Sequence, residues 1–433
     1  MACGKSSNNQ DQPHRAQSLK PHRNHNSLPK STTINGRFVI DKTIFPDYVD
    51  FIYEGALSSI VKWKWNLTDA ASPPTTKELD EHLPVLRPNQ QILNAPPFSQ
   101  TQVTWLSHAC CLVQWEGWSI LCDPIFSERC APVQWAGPKR LRSSPVQVAD
   151  LPRIDVCVLS HNHYDHLDEV TMKALSDAQP DTIFCVPLGM KMWFESVIGM
   201  EKADAVVEFD WGEEVEINDK DITSNTSSNS SINSNSNSTE SSEDSGKDSF
   251  EVKEEEKEGE EKKRPPLTVV CVPCQHWCKR TITDTNCCLW SSWVCKTPNH
   301  TYFFGGDTGY CGDIFKQTGE LYPVDFAAIP IGAYGTESER WFHKPNHQNP
   351  EEAVRCHQDI KSRQSIGVHW GTFMLTGEPL LEPPKKLATA AAAAGLKEDA
   401  FVCLGHGEVR RFDLVRDGPR DVEEHKIQEE ITF

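Results

Sequence analysis

The chain runs to 433 residues and carries a formal net charge of −19. That length can bury one large core or two ordinary ones, and the acidic balance excludes a general nucleic-acid binder, which would need a basic face. Sixteen cysteines are scattered through a chain that opens Met1-Ala2-Cys3-Gly4-Lys5, with no apolar leader and no run near the roughly 20 apolar residues of a spanning helix. A soluble or peripheral, cytosol-facing protein with reduced thiols is therefore expected.

In chain order, residues 1–36 are rich in Asn, Ser, His, Lys and Pro and read as a disordered tail. Residues 45–65 interleave aromatics with Lys62 and Lys64. That pattern fits a helix docked on the domain by its aromatic side, or a segment lying at a membrane interface. Short strands are expected at 103–106, 111–115 and 119–122, the last running into Asp123-Pro124. Asp123 is either a turn residue or a carboxylate that bonds the free nitrogen of a metal-bound histidine. The Gly137-Pro138-Lys139-Arg140-Leu141-Arg142 stretch reads as a solvated basic loop, or as a phosphate or headgroup contact.

A buried strand at 156–159 then ends in Ser160-His161-Asn162-His163-Tyr164-Asp165-His166-Leu167-Asp168, followed by a helix from 167. His161 and His163 are two apart, so in extended chain both face one side, and Asp165 and His166 follow where the chain turns. Ligand-grade side chains at the carboxyl end of a strand suit a divalent metal, imidazole favouring zinc. A strand at 182–186 and an amphipathic helix through Trp193 come next. Residues 218–266, a Ser/Asn run followed by Lys/Glu repeats, read as a disordered insertion in a surface loop.

The pattern of a strand ending in a ligand-type residue then recurs. The strand 267–272 leads to His276, strands 290–295 and 302–304 lead to Gly305-Gly306-Asp307, and strand 365–368 leads to His369. Cys271-x-x-Cys274 has no second pair at metal-ribbon spacing and reads as strand thiols. A strand at 326–331, a helix capped by Asn349-Pro350-Glu351-Glu352, an Ala-rich helix from Pro383 to Gly395 and a last strand at 400–404 complete the pattern. The domain thus spans 37–217 and 267–420 around the insertion, with a tail at 421–433. Seven side chains divide into two sites, one of His161, His163 and His276 and one of Asp165, His166 and His369, with Asp307 bridging. Two metals about 3.5–4 Å apart can clamp a displacement at phosphorus.

This order of ligands resembles the metallo-β-lactamase superfamily, an α/β fold in which an αββα sandwich carries a dinuclear metal site at one edge of its two sheets. The blocks Thr104-Trp105-Leu106-Ser107-His108-Ala109, Asp123-Pro124-Ile125-Phe126, Gly137-Pro138-Lys139-Arg140, Gly305-Gly306-Asp307-Thr308-Gly309-Tyr310, Ile329-Pro330-Ile331-Gly332-Ala333-Tyr334 and Gly367-Val368-His369-Trp370-Gly371-Thr372 narrow it. Together they are similar to the N-acyl-phosphatidylethanolamine-hydrolysing phospholipase D family. The resemblance implies two zinc ions per chain and hydrolysis of membrane N-acyl-phosphatidylethanolamine to N-acylethanolamine and phosphatidic acid, by attack of a metal-bridging hydroxide on phosphorus. It implies Asp165, Asp307 and His347 as catalytic residues, with His347 and Tyr164 at the substrate and Asp123 behind the ligands. It further implies a homodimer, a bile-acid groove near the membrane surface, and a peripheral, partly cytoplasmic protein on the cytosolic face of Golgi and endosomal membranes. Asn346 stands where the family has glutamine, and the stretch 335–340 is longer than the family pattern. The alternatives are another hydrolase of the same fold, a lactonase or nuclease, or a non-catalytic lipid-binding relative.

Overall fold

The computed structural model describes residues 19–24, 27–49, 71–222 and 263–413. Two mixed sheets face each other. In the first, strands follow the spatial order His22–Arg23, Glu213–Ile217, Leu267–Val272, Ser292–Lys296, Thr301–Phe304, Phe326–Pro330, Gln364–Val368 and Phe401–Cys403. The second runs Val409–Asp413, Gln100–Ser107, Cys110–Trp115, Trp118–Cys122, Val156–Val158, Ile183–Pro187 and Val206–Phe209. A small hairpin pairs Thr32–Ile34 with Arg37–Val39.

Side chains of a strand alternate between faces, and the core divides accordingly. In Cys110–Trp115, Cys111, Val113 and Trp115 join the core between the sheets, while Cys110 and Leu112 join an outer cluster. That outer cluster is closed by Met172 and Leu175 of helix Glu169–Ala178 and by Phe194 and Ile198 of helix Lys191–Ile198. Beyond the other sheet, helices Gly312–Leu321, Pro350–Asp359 and Pro383–Ala393 bury Ile314, Phe315, Val354 and Leu387. The result is an αββα sandwich. The sheets are also linked by polar groups, for Tyr302 Oη lies 3.4 Å from both Cys111 Sγ and Cys122 Sγ. Trp293 Nε1 donates across the gap to Leu159 O at 2.9 Å.

Local chemistry explains the helix ends. Asn349 caps helix Pro350–Asp359 by accepting from Glu352 N, while the Glu352 carboxylate accepts from Asn349 N. The expected tail is a correction: His22–Arg23 forms an edge strand against Glu213 and Glu214. Arg23 is held by the carbonyls of Leu28 and Trp211, and Leu28 is buried, so few apolar residues are needed to order this stretch. Residues 1–18 and the C-terminal tail lie outside the described residues.

Phe45 and Tyr48 are buried on the domain; the rest of the aromatic–lysine stretch, 50–65, lies outside the described residues, as does 223–262 of the expected insertion. Its two ends are ordered. Asp219–Ile222 is a helical turn, and Arg264 bridges Asp155 and Asp219 while covering the Trp118 ring. Arg140 is neither solvated nor a headgroup contact. It is 4% exposed, donates to Ser127 O and Ile125 O, and lies over Phe373.

Candidate metal centre

Each ligand-type residue stands where a strand of one of the facing sheets ends. Val156–Val158 delivers His161, His163, Asp165 and His166, Leu267–Val272 delivers His276, Thr301–Phe304 delivers Asp307, and Gln364–Val368 delivers His369. The loop carrying Asp307 depends on Gly306, whose φ is +58° and whose missing Cβ would collide with the side chain of Ser160.

Two clusters result, sharing Asp307. In one, His161 Nε2 lies 2.7 Å from His163 Nδ1 and 3.2 Å from His276 Nε2, with His276 Nε2 3.3 Å from His163 Nδ1. Asp307 Oδ2 closes it at 3.9 Å from His161 and 3.8 Å from His276. In the other, Asp165 Oδ2 is 3.4 Å from His166 Nε2 and 3.5 Å from His369 Nε2. Asp307 joins through Oδ2 to His166 at 3.0 Å and through Oδ1 to His369 at 2.9 Å. A tetrahedral ion with arms of about 2.0–2.1 Å separates its ligands by roughly 3.3 Å, the middle of these spacings.

The electrostatics fit the same purpose. Burial pushes His161 well below its ordinary value, His163 to about 4 and His276 to about 3, so these imidazoles are neutral and carry lone pairs. Burial would raise Asp165 and Asp307, yet His166 and the imidazoles around it hold both well below the usual carboxylate range. Burial would likewise lower His369, but Asp307 and Asp165 lift it to about 9. The two carboxylates, Asp307 buried and Asp165 largely so, thus draw positive charge onto neighbouring imidazoles, the charge a cation would supply. His166 Nε2, His369 Nε2 and Asp307 Oδ1 sit close together but unaligned for hydrogen bonding. The donor set fits divalent metal.

Behind the clusters, three of the imidazoles are turned by their other nitrogen. Ser160 Oγ accepts from His161 Nδ1 at 2.9 Å and donates to Asp123 Oδ2 at 2.5 Å. His166 Nδ1 donates to the same Asp123 oxygen at 2.6 Å, and His276 Nδ1 donates to Asn346 O at 3.1 Å. These contacts leave Nε2 of all three imidazoles facing the centre. Asn346 acts through its backbone there, since its amide nitrogen donates to Phe342 O. Tyr48 Oη donates to His276 O at 2.8 Å, so the N-terminal segment braces a ligand-bearing loop.

His347 comes within 3.9 Å of Asp307 Oδ2 through Nδ1, which has no hydrogen-bond partner among the described residues, and its ring stacks on His369 at 5.3 Å. Its carbonyl is held by Arg340, itself paired with Glu352. Arg340 closes the stretch that is longer than the family pattern. Tyr164 gives its hydroxyl to Arg280 O and its face to the Arg280 guanidinium. One neighbour escaped sequence reasoning: His108 Nε2 lies 3.0 Å from Asp165 Oδ2. In the sequence its block stands out only by the family likeness.

A model of the beta-lactamase superfamily domain matches residues 119–243 and 240–370. The N-acyl-phosphatidylethanolamine-hydrolyzing phospholipase D 1 of Caenorhabditis elegans is 37% identical over 344 residues, covering 78% of this chain and 82% of the relative. This chain belongs to the N-acyl-phosphatidylethanolamine-hydrolysing phospholipase D family of the beta-lactamase superfamily. The mitochondrial family member of Saccharomyces cerevisiae is 30% identical over 361 residues, covering 81% of this chain and 65% of its own length, just under two thirds. Among solved structures, a metallo hydrolase of the archaeon Ignicoccus hospitalis aligns at 14% identity and a TM-score of 0.45, covering 72% of this chain and 99% of its own. Membership makes the chain a metal-dependent hydrolase with the fold expected from its strand-end ligands. No helix among the described residues is long and apolar enough to cross a membrane.

Proposed function

We propose that this chain is a zinc-dependent phosphodiesterase of the phospholipase D type, releasing N-acylethanolamine from N-acyl-phosphatidylethanolamine and leaving phosphatidic acid. The observation that carries the reading is the approach of Asp307 to histidines of both ligand groups, His161 and His276 on one side and His166 and His369 on the other, in a chain 37% identical to a relative named for that reaction. Zinc held there supplies Lewis-acid polarisation of a phosphoryl oxygen and a lowered pKa for water.

The chain's own residues do the rest. His161, His163 and His276 would hold one ion and Asp165, His166 and His369 the other, with Asp307 between the groups, its Oδ2 toward His161, His276 and His166 and its Oδ1 toward His369. Asp123 keeps His166 turned, and through Ser160 it keeps His161 turned. His347, with Nδ1 open toward Asp307, is placed to bind a phosphoryl oxygen or to hold the proton that the departing alkoxide needs. Tyr164, held by Arg280 between the ligands His163 and Asp165 in the chain, contacts the substrate. The enzyme works as a peripheral protein at a membrane surface, on the cytosolic face of internal membranes.

The test is release of N-acylethanolamine from detergent-dispersed N-acyl-phosphatidylethanolamine, with and without a zinc chelator. Release that stops with chelator and returns with zinc is expected, and Asp307→Asn should lower turnover by at least about 100-fold, since a shared charged ligand is lost. Substantial turnover in that variant would sink the two-metal reading. A metal-replete protein that cleaves another ester and leaves this lipid intact would move the assignment to another hydrolase of the same fold.

A further inference from the structure

The geometry points to His108 as a positioning residue that donates from Nε2 to Asp165 Oδ2 and thereby aims that carboxylate at the metal it shares with His166 and His369. The inference rests on the two-metal reading above.

His108 is placed with unusual care. It follows strand Gln100–Ser107, where the register with Cys110–Trp115 shifts between Trp105 and Ser107. Both residues after the shift leave ordinary strand conformation, Ser107 at φ +127° and His108 at φ +51°. Neither is a glycine, so the surroundings must impose these angles. They do so through three hydrogen bonds. His108 N donates to Thr372 Oγ1 at 2.7 Å, and His108 O accepts from Trp105 Nε1 and from His369 N, both at 2.8 Å. His369 is itself at φ +62°. The turn that presents one group of the second cluster is therefore hydrogen-bonded, backbone to backbone, to the turn that presents His108. Arg140 reaches Ser107 Oγ from the other side at 3.4 Å.

The ring is held as firmly as the backbone. It packs 4.0 Å from the His369 ring and edge-on to Phe373 at 5.2 Å, and the residue is 2% exposed. An ionised carboxylate only accepts hydrogen bonds, so the 3.0 Å contact places the proton on Nε2 of His108. This is the arrangement that Asp123 makes with His166, with the same donor and acceptor but the roles of ligand and support exchanged: there a carboxylate orients an imidazole, here an imidazole orients a carboxylate. Without His108, Asp165 could swing toward solvent, being the more open of the two carboxylates at 15% side-chain exposure against 1% for Asp307.

The test loads metal-free full-length protein with Co2+ against a competing chelator, which resolves the two sites in wild type, His108→Leu and His108→Gln. The leucine variant should weaken the site of Asp165, His166 and His369 by about 10–100-fold, with a shift in its cobalt absorption band, while the site of His161, His163 and His276 stays within about threefold. Glutamine, whose amide also donates, should recover most of the loss. Equal weakening of both sites would make the role merely structural, and unchanged binding would abolish it. Loss of one nitrogen donor from the cobalt X-ray absorption spectrum of both variants would make His108 a ligand; each of these overturns the inference. Fewer than two ions in wild type would instead remove the two-metal reading, before any variant is compared.

Discussion

At the scale of single residues, the site is built from atoms whose second contacts matter as much as their first. Asp123, at φ +37°, accepts from Ser160 N as well as from Ser160 Oγ and His166. Gly306 is equally constrained, because its left-handed conformation and the approach of Ser160 leave no space for a Cβ. Gly306→Ala should destabilise the fold by about 1–3 kcal/mol and lower zinc content, measured by thermal unfolding and by metal analysis of the dialysed protein. A Tm and zinc content equal to wild type would show that the loop relaxes at no cost. Its neighbour Asp307 was legible in advance, as a ligand-type residue at a strand end flanked by glycines, but the crowding by Ser160, 146 positions away, was not. Nor was His108. Its partner in the site lies 57 positions away and its strongest backbone contacts are to 369 and 372, so no local spacing announces it.

Among elements, the strands that the sequence revealed are those whose burial comes from their own apolar run, such as Leu267–Val272 and Ile183–Pro187. Those it concealed are strands by virtue of their neighbours. Val409–Asp413 carries Arg410 and Arg411, yet lies beside Gln100–Ser107, with Arg411 on Gln102 and Phe412 packed on Phe326. Glu213–Ile217 carries three glutamates and became a strand because Leu267–Val272 offers it an edge. Helix Pro350–Asp359 was announced by its cap, which reciprocal bonding of Asn349 and Glu352 confirms. Asn349→Ala should cost about 1 kcal/mol, read from urea unfolding at pH 7, and no change in midpoint would mean that Glu352 alone holds the helix start.

For the molecule as a whole, two buried histidines far from the metal centre set an acid limit. His357, bonded to Ser365 Oγ at 2.8 Å and stacked on Phe401, is pushed down by burial to about 4. His300, beside Thr101, is pushed down to about 3 by burial and then by Arg363, with Asp325 also facing it. Both are depressed from an ordinary value of 6.5, so the folded chain binds these protons less readily than the unfolded one. Their contribution is complete above about pH 6.5 and is lost as pH falls toward 4 and 3, at roughly 3 kcal/mol for His357 at the acid end. Metal-free protein should therefore lose stability steadily below pH 6.5 in urea titrations, and His357→Gln should flatten that slope. An unchanged slope would place the acid sensitivity elsewhere.

The pairing of Gln100–Ser107 with Val409–Asp413 also has a consequence for synthesis. The strand that precedes His108 is made in the first quarter of the chain, but its outer neighbour leaves the ribosome more than 300 residues later. Until then its edge stands open, and Trp105, whose backbone bonds to Gly407 and Glu408, lacks both partners. A nascent chain can display every ligand through His369 and still have no finished sandwich to hold them. The sheet that carries His108 is therefore complete, among the described residues, only once Val409–Asp413 has been added.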